Sequence, residues 1–284
     1  MKKTTLIQRL AIRAFVAGLA FASLVTTSQA QSVTPAWTNL WKLPVLQEYD
    51  FLLTNAGGTA LNNVRGVCIN PANGNVIYAT RDASNHLAVV DGTTGVVLTR
   101  LSGSGIAGGG LVLSQVRATS DGVIYAANVA APSAASGSAL KIYRWPSDTS
   151  TNAPLLVFSN FIPILGSGGT RYGDVMDLRG SGTSTEIIMS GIGGTNLALF
   201  TTTDGTNFNA NLDENSNLTN FVKKISLPAG FSGTVNVGRT MCFDGTNNAV
   251  IGRNTAPPAT LTHYVTYDPV TLTATNGEIG RAHV

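Results

Sequence analysis

The sequence predicts an all-β fold, and three observations carry that expectation. No amphipathic helical period follows residue 30. Short runs rich in Val, Ile, Tyr and Thr recur along the chain, and those side chains suit strands rather than helices. Each run follows a turn signal: Asn73-Gly74, Asp121-Gly122, Gly182-Thr-Ser184 and Asp244-Gly-Thr-Asn247. Turns of this kind join neighbouring antiparallel strands.

The runs also repeat as pairs. Val76–Ala79 is followed by Leu87–Leu98, and Val123–Ala126 by Leu140–Trp145. Ile187–Ser190 is followed by Leu197–Gly205, and Ala249–Gly252 by His263–Asp268. The first members start at 76, 123, 187 and 249, so the spacings are 47, 64 and 62. Propeller repeats of known types run to about 40–50 residues, and inserted loops such as Asp204–Asn220 account for the longer two. The architecture expected is therefore a β-propeller of about four four-stranded blades. Thr201–Thr203 reads as a polar strand near solvent, and glycine-rich Ser102–Gly110 as a flexible link between blades. A β-sandwich or β-solenoid is the second reading, but a sandwich needs no long period.

Composition narrows the class. The 284 residues include 31 Gly, 11 Pro and 2 Cys, with 12% charged and 43% hydrophobic residues. That excludes a charged disordered chain, a disulfide-stapled miniprotein and a coiled coil.

Residues 1–30 read as a secretory signal peptide. Lys2, Lys3, Arg9 and Arg13 precede the apolar stretch Ala14–Val25, and Ser28-Gln29-Ala30 offers a small-residue cleavage site. Their removal takes four basic residues from 18, leaving 14 against 15 acidic ones and a net charge of −1. The basic footprint of a nucleic-acid binder is thus not expected, nor is a membrane span in the mature segment. The expected location is secreted, periplasmic or cell-envelope.

The remaining organisation follows. Residues 31–60, with Trp37–Leu53, are expected to supply a closing strand, and 61–277 the repeats, cut short at the C-terminus. Glu278–Val284 looks like the translation of a sequencing adapter. Cys68 and Cys242 occupy equivalent places in Arg65-Gly-Val-Cys-Ile and Arg239-Thr-Met-Cys-Phe, so both are expected as buried, unbridged strand residues.

The sequence resembles an uncharacterised family of secreted bacterial proteins with a propeller-like domain. The stretches that carry the resemblance are Arg65–Pro71, Asp121–Asn128, Lys141–Trp145, Arg171–Asp174 with Asp177–Gly180, and Thr201–Gly205. It implies fold and secretion, and brings no activity or catalytic residue with it.

Candidate chemistry rests on recurring polar residues near strand ends. Arg65 and Arg239 are equivalent, and Arg171 lies close to that position in the third repeat. Arg81, Asn128 and Arg253 each follow a central apolar run. Arginines from several blades, with Asp174, form a candidate anion site, because guanidinium binds oxyanions through paired hydrogen bonds. The alternative is that these arginines brace blades through Asp174 and Asp177. The partners expected are an acidic glycan or an extracellular protein, held by a non-catalytic binding or scaffold module. A channel-mouth lyase or lactonase acting on a carboxylate substrate is the second reading.

Other motifs fall short. Asp213–Thr219 starts like a calcium loop, but Leu218 replaces the glycine and Lys224 the bidentate glutamate. His86 and His263 belong to no ligand cluster and are expected at exposed turn or strand positions. Asp174 and Asp177, three apart on a strand, face opposite ways unless a bulge intervenes. Tyr143 and Trp145 are expected as an inter-blade core pair, with glycan stacking as the alternative. No metal or cofactor is expected.

Overall fold

The computed structural model describes residues 64–81, 85–131, 138–161, 171–192, 196–208, 211–212, 218–219, 222–227, 241–245, 247–253 and 262–277. The expected signal peptide, the 31–60 segment, Arg239, residues 213–217 of the calcium-like loop, and Glu278–Val284 lie outside them.

Four four-stranded antiparallel sheets follow one another along the chain. The first is Val64–Ile69 (β1), Val76–Thr80 (β2), His86–Val90 (β3) and Val97–Leu101 (β4). The second is Leu111–Ala118 (β5), Ile124–Val129 (β6), Leu140–Trp145 (β7) and Leu155–Asn160 (β8). Arg171–Arg179 (β9), Glu186–Ile192 (β10) and Asn196–Thr201 (β11) open the third. A short hairpin, Asn211–Leu212 (β12) with Leu218–Thr219 (β13), comes before its last strand, Val222–Ser226 (β14). The fourth is Met241–Phe243 (β15), Ala249–Arg253 (β16), Thr262–Tyr267 (β17) and Ala274–Gly277 (β18).

Every sheet is a meander, with each strand paired to the one before it. The four turn signals of the sequence join the first and second strands of the four sheets. At Asn73-Gly74, Gly74 takes φ 80, which a side chain would resist. Gly182–Ser184 closes as one turn of 3₁₀ helix.

First strands of successive sheets lie side by side: β1 beside β5, β5 beside β9, and β9 beside β15. The approach is close, for a Cβ on Gly66 would stand 2.5 Å from the Ser114 carbonyl oxygen. Apolar side chains fill the three spaces between sheets. Leu87, Val89, Leu113, Ile124 and Trp145 lie between the first and second. Tyr125, Phe158, Met176, Phe200 and Phe208 lie between the second and third, with edge-on contacts for Phe158–Phe200 and Tyr125–Phe208. Ile188, Leu199, Ile225, Phe243 and Val265 lie between the third and fourth. Burial on both faces explains the unbroken apolar runs, as in β3 and β6, where every residue is buried.

Polar ties cross the same spaces. The Asp148 carboxylate accepts from the Nδ2 groups of Asn70, Asn73 and Asn75, at 3.0, 2.7 and 2.9 Å. That joins the β7–β8 turn to the β1–β2 turn. Asp177 accepts from Arg117 Nε at 3.2 Å and from the Phe243 backbone N–H at 2.7 Å, linking three sheets. Arg179 donates to Glu186, to the Asn247 carbonyl and to Tyr267, and lies 4.5 Å from the centre of the Phe243 ring.

Three expectations need correction. Thr201–Thr203 is not an outer strand: Thr201 ends β11, and buried Thr202 accepts at its hydroxyl from the Gly205 N–H within a turn. Ser102–Gly110 is pinned rather than free. Ser102 accepts from Trp145 Nε1, and Ala107 from Lys141 Nζ and the Tyr143 hydroxyl. Tyr143 and Trp145 are correspondingly buried, as a core pair. His86 is buried at the start of β3, its ring nitrogen 3.5 Å from Arg100 Nη1. His263 lies in β17.

The cysteines are free, as expected, but neither is fully buried. Strand alternation explains Cys242: Met241 and Phe243 turn into the core, so Cys242 faces outward. Cys68 is half-buried, and burial pushes its thiol up to about 12 against the opposing pull of the Arg117 charge. Alkylation by iodoacetamide at pH 8 is therefore expected to mark Cys242 well before Cys68, as peptide mass mapping would read. Equal rates would contradict the burial of Cys68.

Candidate functional site

The first strands of three sheets share a local irregularity. On β1 the pairing passes from Val64↔Thr80 to Gly66↔Ala79, which leaves Arg65 as the extra residue of a bulge. On β5 it passes from Leu111↔Val129 to Gln115↔Ala127. On β9 it passes from Tyr172↔Gly191 to Val175↔Ser190, with Gly173 and Asp174 extra. A bulge bends its strand and re-aims the side chains beside it.

These three bulges deliver their polar residues to one place. Arg65, Gln115, Arg171 and Asp174 line a cleft of about 340 Å³. Small-ligand pockets run from about 300 Å³ upward, so the cleft suits one small group. Arg171 and Asp174 form a two-point ion pair, Nε to Oδ2 at 2.7 Å and Nη2 to Oδ1 at 2.8 Å. Arg171 stays 43% exposed while Asp174 is 6% exposed, so the pair presents guanidinium to solvent. Gln115 donates through Nε2 to the Asp174 backbone carbonyl at 2.8 Å, tying β5 to β9. Arg65 is exposed.

Arg81, at the end of β2, adds positive charge nearby. Burial lowers its guanidinium below the ordinary value, and the Arg65 charge lowers it further.

Of the residues singled out in the sequence, the cleft brings together Arg65, Arg171 and Asp174. Asn128 does not join them. It is fully buried; its amide donates to the Ala139 carbonyl at 3.0 Å and its oxygen accepts from the Lys141 N–H at 2.8 Å. It pins the β6–β7 connection. Arg253 ends β16, paired with Thr262. Asp177 is held by Arg117 and the Phe243 N–H, and Asp174 by Arg171. The bulge lies before Val175, not between the two carboxylates, and each has its own cationic partner. Among the described residues, no group of three or more His, Cys, Asp or Glu gathers as metal ligands would. No helix there is long and apolar enough to cross a membrane.

Gln115 is the residue that sequence reading missed. Its signal was positional. It stands at the bulge of β5 as Arg65 does at that of β1, but Leu111–Ala118 repeats neither flanking motif.

No protein-family model matches the chain, and no curated protein matches it. Solved structures do. A DUF4623 family protein from Bacteroides eggerthii superposes with a TM-score of 0.55 at 13% identity, over 81% of this chain and 46% of that one. A protein from Lactobacillus plantarum gives 0.41 at 14% identity, over 77% of this chain and 56% of that one. The PQQ-bound aldose sugar dehydrogenase of Streptomyces coelicolor gives 0.32 at 15% identity, over 77% and 82%. The chain thus spans less than half the length of the Bacteroides protein, and its likeness to that protein is one of fold, which fits an uncharacterised domain of unknown function.

Proposed function

We propose that this chain is part of an exported β-propeller acting as a non-catalytic binding module for an extracellular polymer or protein. Its anionic partner group enters the cleft between β1, β5 and β9. The propeller reading is supported by four meander sheets whose first strands lie side by side. Export is supported by the three-part pattern of residues 1–30.

The single observation that carries the binding reading is the cleft itself. Two arginines from different sheets reach one concavity whose described lining residues are all polar. One of them, Arg65, makes no ion pair among the described residues. A lyase or lactonase draws less support, since Asp174, the carboxylate among the described lining residues, is clasped on both oxygens by Arg171.

The test is Arg65→Ala, studied by calorimetric titration with an acidic polysaccharide such as polygalacturonate. Because Arg65 is exposed, the melting temperature is expected to stay within about 2 °C of wild type. Affinity is expected to fall about tenfold or more, as loss of a charge-assisted hydrogen bond implies. Unchanged affinity, or binding lost only together with the fold, would return Arg65 to a structural role.

A further inference from the structure

We infer that the cleft between β1, β5 and β9 selects a hydroxy-carboxylate, such as a hexuronic acid residue, over a bare carboxylate. The inference rests on the binding role proposed above and names the chemistry of its ligand. Two independent observations carry it.

The first is charge. Arg65 and Arg171 bring two positive charges to the lining and Asp174 removes one, leaving a single net positive charge. Arg81, which follows β2, adds a further positive charge near Arg65, so the balance calls for an anion. Arg65 is the open partner, since Arg171 already gives Nε and Nη2 to Asp174.

The second is an oriented acceptor. Gln115 spends its amide nitrogen on the Asp174 carbonyl at 2.8 Å. An amide is planar, with oxygen and nitrogen on opposite sides, so this bond fixes which way the Gln115 oxygen turns. Among the described residues that oxygen accepts no hydrogen bond. It is an oriented acceptor in the cleft that Arg65 also lines, which asks for a ligand with a donor beside its negative charge. A carboxylate with a neighbouring hydroxyl provides both. The volume of about 340 Å³ admits one sugar ring.

The test compares three probes of similar size by calorimetric titration of the whole chain. Galacturonate carries charge and hydroxyls, cyclohexanecarboxylate carries charge alone, and galactose carries hydroxyls alone. Galacturonate is expected to bind about fivefold or more tighter than cyclohexanecarboxylate, the worth of one hydrogen bond, with no binding by galactose. Gln115→Leu is expected to erase the preference, read as the ratio of the galacturonate affinity to the cyclohexanecarboxylate affinity falling to about one. Its melting curve and that of Gln115→Glu, which keeps an acceptor at that position, report whether the fold survives. Trigalacturonate, run alongside, separates a polymer residue from a free acid, and binding of either form upholds the assignment.

Equal affinity for galacturonate and cyclohexanecarboxylate, with both lost in Arg65→Ala, would overturn the hydroxy-carboxylate assignment and leave the anion cleft standing. No binding of any probe or of polygalacturonate, with no effect of Arg65→Ala, would overturn the cleft as well. A preference that persists in Gln115→Leu would remove Gln115 from the selection.

Discussion

Gly173→Ala is expected to cost about 3–5 kcal/mol, enough to unfold a domain of ordinary stability. A Cβ at this position would lie 1.9 Å from the Asn128 carbonyl oxygen and 2.9 Å from its carbon. Both are backbone atoms of the neighbouring sheet and cannot swing aside. The φ of 91 adds strain that glycine alone escapes. The residue matters because of where the contact falls. Tyr172 and Ala130 exchange two backbone hydrogen bonds, at 3.0 and 2.8 Å, and so stitch the second sheet to the third beside the cleft. Pushing the strands apart there displaces Arg171 and Asp174 as well. Gly182→Ala is the control. It also has positive φ, at 53, but open space around it, so only about 1 kcal/mol is expected. Urea unfolding of the two variants decides the matter, and equal costs would refute the close approach.

Asp148→Ala is expected to cost about 2 kcal/mol, because it removes the shared acceptor of three amide donors and strands that of buried Asn70. Burial alone would raise this carboxyl above its ordinary value of 3.8, but the hydrogen bonds from Asn73, Asn75 and Asn70 together outweigh burial and hold it below. The sign of the pH dependence follows. A group bound more tightly as the anion stabilises the fold above its unfolded value and loses that effect as the pH falls through its lower folded value. The stability advantage of wild type over Asp148→Asn should therefore be full at pH 6 and shrink below about pH 4. Asp91, Asp204 and Asp268 are also held low, by hydrogen bonds within their own turns, and Asp244 by the Asn247 amide and the Tyr264 hydroxyl. Only the difference between the two proteins isolates Asp148. A difference constant from pH 6 to pH 2.5 would show that the three amides do not hold the anion.

The all-β class and the order of the sheets were legible because they follow from local pattern. The runs beginning at Val76, Val123, Ile187 and Ala249 mark the second strands, and their turn signals mark the first hairpins. The site was half legible. Arg65, Arg171 and Asp174 stand out as polar residues at recurring places, and the cleft unites them. Gln115 did not, since a bulge is a property of pairing between strands and leaves no fixed sequence mark. Asn128 misled for a related reason. A polar residue after an apolar run resembles a ligand, yet here it closes the backbone of its own hairpin. The cysteines misled because one residue of register decides which face of a strand meets the core. Arg65–Ile69 and Arg239–Phe243 look alike as sequence, but burial was set by the neighbouring sheet and not by the motif.

The small hairpin in the third sheet has a use in protein engineering. Residues 202–221 separate β11 from β14, where residues 91–96 suffice between β3 and β4 and residues 268–273 between β17 and β18. The longer path leaves five cross-strand pairs between β11 and β14 in unbroken register. The penalty for lengthening a loop grows only with the logarithm of its length, about 0.6 kcal/mol for each doubling. The corresponding turn at Asp91–Gly95, held by the Asp91 carboxylate on the Thr93 and Thr94 N–H groups, is thus a natural port for grafting a foreign peptide. Cargo inserted between Thr93 and Thr94, both exposed, would leave Gly92 packed on the Gly74 carbonyl and the strands that carry Arg65 and Gln115 in place.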